Sequence, residues 1–223
     1  MMRQYFSDHL KSRIIAAFVI LIFIAALVIT VRAGADLDYA EGAYEVSGLD
    51  LRIAVSRDHT YEIEEFISVD IPETIPSIAF AIPGDTFRME ELTVEGETAK
   101  AVRRDSEKYA VIKDPKLLTA GHHIYMIRYK LTEGADRNSG RDVFNFDILP
   151  AGWKQPVYKL HALMWFPYGF PLEDIRPYVD ESRVSRLTIK KEPQSRSYTL
   201  EIRGIPEDYS VRVEADLPDG YWD

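Results

Sequence analysis

The sequence predicts an all-β fold, an antiparallel β-sandwich of Ig-like architecture, preceded by one apolar N-terminal helix. Three observations carry this. One uncharged apolar run sits near the N-terminus and has no counterpart later. After it, the hydrophobic period becomes two in run after run. Glycine, proline, aspartate and asparagine fill the gaps between those runs, as turns require.

The first element is Ile14 to Val31, 18 residues without a charge. As a helix it would extend about 27 Å, close to the thickness of a bilayer core. A core helix of a soluble protein seldom lacks every polar face over such a length. Arg3, Lys11 and Arg13 precede the run, and Asp36, Asp38 and Glu41 follow it. The positive-inside bias therefore puts the N-terminus in the cytoplasm and the rest outside. Ala33-Gly34-Ala35 offers a signal-peptidase site. The apolar run exceeds a usual signal core and Arg32 intervenes, so a retained anchor is preferred to a cleaved signal. Residues 1–35 then form the cytoplasmic tail and anchor. Residues 36–48 form a juxtamembrane linker and first strand, and residues 49–223 the extracytoplasmic domain.

Within that domain Leu49, Leu51, Ile53 and Val55 alternate with polar or small residues. A turn at Arg57-Asp58-His59 leads to a second alternating strand through Tyr61, Ile63, Ile67 and Val69. Tyr125, Ile127, Tyr129 and Leu131 alternate strictly, as do Phe144, Phe146 and Ile148. The 134–140 segment between them reads as a hairpin loop. Val157 to Phe166 is a longer apolar strand, and 197–203 and 209–217 close the chain. Helical turns are expected only near 115–119 and 172–179. The twelve prolines are expected between strands, because proline cannot donate to a central ladder.

Composition narrows the function. There is no cysteine, which excludes a disulfide framework, a lipoprotein cysteine, a thiolate metal site and a cysteine nucleophile. The net charge is -9, while residues 1–35 hold four basic residues against Asp8 alone. The acidity thus lies in the domain, which would repel phosphate backbones, and no nucleic-acid partner is expected.

One stretch carries a family likeness. Gly121-His-His-Ile-Tyr-Met-Ile-Arg-Tyr129 leads to Asp142-Val-Phe-Asn-Phe-Asp147, then Trp153, Pro156-Val157 and a strand ending Trp165-Phe166-Pro167. The chain closes on Val211-Arg-Val-Glu-Ala-Asp-Leu-Pro-Asp-Gly220. Over about Leu51 to Gly220 this resembles the prokaryotic membrane proteins that carry domain of unknown function 2207. Such proteins usually have an Arg-Asp-Ile-Pro-like stretch where this chain has Phe80-Ala-Ile-Pro83, and they continue into further membrane helices. The resemblance implies export and a β-rich domain. It brings no activity with it.

Catalytic and metal signatures are missing from the sequence. His122 and His123 are adjacent in a strand, so they point to opposite faces and share no metal. There is no H-E-x-x-H, no nucleophile elbow and no S-x-x-K. Asp36 to Gly42 departs from a calcium loop at Ala40-Glu41 and reads as a hydrated linker. Glu62 and Glu64 share one strand face, most simply a solvated one. No cofactor and no enzymatic activity are expected.

The candidate binding residues are Trp153 and Asp142. Trp153, in a Gly/Pro turn, either pins its loop to the sandwich edge or lies open as a stacking platform. Asp142 is expected to accept hydrogen bonds from loop amides of residues 133–141. The sequence therefore reads as a membrane-anchored, extracytoplasmic interaction or assembly module, with another envelope or membrane protein as its partner. The alternative is a carbohydrate- or cell-wall-binding protein or hydrolase using aromatic platforms and carboxylates.

Overall fold

A computed structural model describes residues 44–83, 87–99, 101–104, 107–133, 142–168, 175–180, 182–183, 188–191 and 196–222. All of them fall in the second of the two units into which the chain divides, Tyr39–Asp223. The segment Ile14 to Val31, expected to form a membrane anchor, lies outside the described residues. Among the described residues no helix is long and apolar enough to cross a membrane.

The described domain is all-β, and its strands form three sheets. The alternation read from sequence becomes β1 (Glu45–Val55) and β2 (Thr60–Ile71), an antiparallel pair joined by a tight turn. In that turn the Ser56 amide donates to the Thr60 carbonyl at 2.8 Å, and His59 takes a left-handed φ of 61°. The β2 core row is Tyr61, Ile63, Glu65, Ile67, Val69 and Ile71, all buried.

Next come β3 (Ile78–Ile82), β4 (Phe87–Val94), β5 (Glu97–Thr98), β6 (Val102–Arg104) and β7 (Glu107–Ile112). A 3-10 turn follows at Pro115–Leu117, where Asp114 caps the Lys116 amide. The long β8 (Gly121–Glu133) then pairs with β2 along its whole length. Beyond it lie β9 (Val143–Leu149), β10 (Val157–Trp165), β11 (Ile175–Val179), β12 (Ser182–Arg183), β13 (Thr188–Lys191), β14 (Ser197–Ile205) and β15 (Val211–Asp216).

The largest sheet has the order β13-β14-β10-β1-β2-β8-β4-β5. A second has β12-β11-β15-β9, and a third β3-β7-β6. Both small sheets contact the same face of the large one. Tyr61 stacks on Phe146 of β9 at 5.7 Å, and Tyr125 of β8 meets Phe80 of β3 at 5.8 Å. The opposite face of the large sheet carries the polar half of each alternation.

Four expectations are corrected. The fold is not wholly antiparallel, because β1 and β10 pair in parallel, Val46 against Val157 through Ala54 against Trp165. The 134–140 segment does not join a hairpin. It connects β8 in the large sheet to β9 in the second, and the loop itself lies outside the described residues. The turn of helix expected over 172–179 is strand β11 from Ile175 onward. Pro177 therefore sits inside a strand. It is tolerated because β12 pairs only with Tyr178 and Val179, so no ladder partner on that side needs an amide hydrogen at Pro177.

Candidate functional site

Among the described residues, the open face of the large sheet is an extended polar surface that the topology assembles from distant segments. Register fixes its rows. One row aligns Leu163, Arg52, Glu64 and Arg128 across β10, β1, β2 and β8. A neighbouring row aligns Glu201, His161, Asp50 and Phe66. A third aligns Trp165, Ala54, Glu62 and Lys130.

Alternating charge along these rows produces cross-strand pairing. Arg128 donates from Nε to Glu64 Oε1 at 2.8 Å, and Arg52 approaches the other Glu64 oxygen at 3.8 Å. The Arg52 guanidinium also lies 4.7 Å above the Phe66 ring. His161 Nδ1 is 3.3 Å from Asp50 Oδ2, and Arg203 reaches Glu201 at 2.9 Å. The Arg203 hydrogen bond holds the Glu201 carboxyl below its usual range.

Two hollows lie along this face. One, of 690 Å³, is lined by Arg52, Glu62, Glu64, Glu91, Arg128, Lys130 and Trp165 among others. The second, of 600 Å³, is lined by Asp50, Arg52, Phe66, Ile124, Lys159, His161 and Glu201 among others. Arg52 belongs to both. Trp165 is 40% exposed and Ile124 58%. Neither residue stood out in the sequence. Trp165 closed a strand that reads as apolar, and its exposure depends on Ala54, its neighbour across the parallel pairing.

The two residues singled out from sequence lie elsewhere. Trp153 is 3% exposed and stacks on Phe80 at 5.8 Å, so its ring pins the loop and is not open to solvent. Its carbonyl accepts from the Asp208 amide at 3.1 Å, and its indole nitrogen is buried with no hydrogen-bond partner among the described residues. Gly152 beside it has φ of 86°. Asp142 holds the chain end: its Oδ2 accepts from the Tyr221 amide at 2.6 Å, and its carbonyl accepts from Leu217 at 2.9 Å. Residues 134–141, which hold the donors expected from the sequence, lie outside the described residues. Tyr221 in turn donates its hydroxyl to the Tyr168 carbonyl at 2.6 Å, and Trp222 stacks on His59 at 4.0 Å.

His122 pairs with Asp70 at 2.8 Å, while His123 Nε2 lies 2.7 Å from the Thr119 carbonyl. Their side chains diverge as adjacent strand residues must. Among the described residues no group of three or more histidines and carboxylates could hold a metal ion.

One buried acid escaped the sequence reading. Glu65 occupies the core row of β2 and is 3% exposed. Burial pushes its carboxyl up to about 7, although the Tyr129 hydrogen bond acts the other way.

These features define an all-β, mainly antiparallel module with an open polar face on its large sheet and a closed aromatic interior. The chain belongs to the family described as predicted membrane protein (DUF2207) N-terminal domain, whose sequence profile matches residues 45–217. It is thus part of a membrane-protein family. No curated protein matches the sequence. Among solved structures it is similar to native yeast LTA4 hydrolase, with 10% identity and a TM-score of 0.49 over 80% of this chain and 30% of that one. It is also similar to the M1 zinc metallopeptidase from Deinococcus radiodurans, with 13% identity and a TM-score of 0.43 over 78% of this chain and 43% of that one. The chain thus spans less than half the length of either protein.

Proposed function

We propose that this domain is a non-catalytic binding module, held outside a membrane by the Ile14 to Val31 anchor, with its N-terminus in the cytoplasm. It engages another component of the cell envelope through the open face of the large sheet. The fold is read as a two-layer sandwich, Ig-like in its layering, in which the small sheets form the second layer. The observation that carries the binding role is the pairing of Arg52, Glu64 and Arg128 across three strands beside two ligand-sized hollows. A face cross-linked in this way is preorganised and loses little freedom on binding.

The absence of cysteine gives a direct test. Ile124→Cys puts a lone thiol on the open face, and Glu207→Cys puts one in an exposed turn away from it. Intact cells are treated with a membrane-impermeant maleimide, and the labelling is compared with that of the purified full chain. The expected result is full labelling at position 207 in cells and strongly reduced labelling at 124. Equal labelling at both positions would show an unoccupied face. No labelling at either would overturn the topology.

A further inference from the structure

We infer that the two hollows sharing Arg52 form one binding groove for a neutral carbohydrate chain. This rests on the open face being the binding surface, and it names the occupant.

Charge comes first. The 690 Å³ hollow is lined by three acidic side chains, Glu62, Glu64 and Glu91, and three basic ones, Arg52, Arg128 and Lys130. The 600 Å³ hollow balances Asp50 and Glu201 against Arg52 and Lys159, with His161 beside Asp50. Across the single groove, with Arg52 counted once, five carboxylates face four cations, an excess of one negative charge in a chain of net charge -9. An anionic partner finds no basic patch among these lining residues, and a cationic one finds an excess of only one carboxylate. An uncharged ligand pays neither penalty.

Hydrogen-bonding capacity comes second. A guanidinium carries five donors, and a carboxylate offers about four acceptor sites. The pairs Arg128–Glu64 and Arg203–Glu201 use only part of that capacity and fix the planar groups in place. Neighbouring sugar hydroxyls, each both donor and acceptor, can bridge such paired groups without breaking them. A charged ligand would have to compete for one member of each pair.

Shape comes third. Trp165 ends β10 beside Ala54, whose methyl group leaves the space over that row open. An indole set at the rim of a polar hollow offers a flat apolar face to the C–H side of a pyranose ring. A protein interface commonly centres on a more apolar, fully buried core. Here Trp165 and Ile124 line different hollows, separated by charged rows.

The test uses the full chain in detergent and isothermal titration with cellohexaose, maltohexaose and hexa-N-acetylchitohexaose, with hyaluronan hexasaccharide and heparin as charged probes. The expected result is binding of at least one neutral hexasaccharide, weakened tenfold or more by Trp165→Ala and likewise by Trp165→Gln, which removes the ring from a 40% exposed position and serves if the alanine variant misfolds. Trp165→Phe should retain most of the affinity. Tyr158→Ala, which removes an exposed ring (76%) outside both hollows, should bind as the parent does. The inference fails if no neutral hexasaccharide binds, if only charged probes bind, or if the ring-less Trp165 variants bind unchanged. If it fails while Ile124→Cys stays shielded in cells, the binding face stands and only its carbohydrate occupant is wrong. If shielding is lost as well, both readings fall.

Discussion

The hydroxyl of Tyr129 donates a hydrogen bond to Glu65 Oε1 inside the core, one strand apart on the inner face of the large sheet. Both side chains are buried, and burial pushes the Tyr129 hydroxyl well above its ordinary range as it raises the Glu65 carboxyl. An acid in an apolar row is held neutral because an ion there would lose its hydration.

Stability should therefore fall as pH rises from about 4.5 to about 7. Below that window Glu65 is protonated in both states. Within it the unfolded chain releases the proton and the folded chain keeps it, so rising pH favours unfolding. Above it the loss is complete, on the order of 3 kcal/mol. Glu65→Gln should flatten this dependence in denaturant titrations between pH 4 and pH 8, and should be the more stable protein at pH 8. Tyr129→Phe removes the bond that lowers the Glu65 value, so its loss of stability should extend to higher pH.

Trp153→Ala should destabilise the domain by about 3–5 kcal/mol, because a buried ring stacked on Phe80 leaves a large cavity. Gly152→Ala should also destabilise. Its Cβ would lie 2.8 Å from Glu107 Cγ, and φ of 86° strains any L side chain. Thermal melts of both variants check this. A Trp153→Ala protein melting with the parent would show that the loop does not depend on its pin.

Asp142→Ala should cost about 1–2 kcal/mol and free the chain end, since the Tyr221 amide loses a charged acceptor at 2.6 Å. Tyr221 and Trp222 should then exchange amide hydrogens faster, while the strands keep their protection. Mass spectrometry after hydrogen exchange reads both.

Glu64→Gln, by contrast, should change stability by less than about 1 kcal/mol, because its partners on the open face are half-exposed and surface ion pairs contribute little. A large loss in urea titration would mean that the Arg52–Glu64–Arg128 row is structural and not a binding surface.

The contrast between Glu64 and Glu65 shows how far the sequence could be read. Alternation placed β1, β2, β8, β9, β14 and β15, and it put Glu64 outward. The same alternation puts position 65 in the row of Ile63 and Ile67, so the buried acid is legible there. Strand β3 was not legible: all five of its residues are buried, which erases any period. Pro177 masked β11, and only the partial cover by β12 explains how it fits. The groove was beyond reach for another reason. Trp165 meets Ala54 through a parallel pairing between remote segments, and no local pattern encodes that neighbour.

That parallel seam also sets an order of events. The hairpin of β1 and β2 can form as soon as its residues are free. The other edge of β1 has no partner until Val157 to Trp165 have been made and have returned to it. Until then an apolar strand beginning at Glu45 keeps one row of backbone groups unpaired, a template for pairing with other chains. Closing so long a loop is slow compared with hairpin formation. A domain threaded through a membrane from its β1 end would present this open edge for much of its passage, and the arrival of β10 would be what seals it.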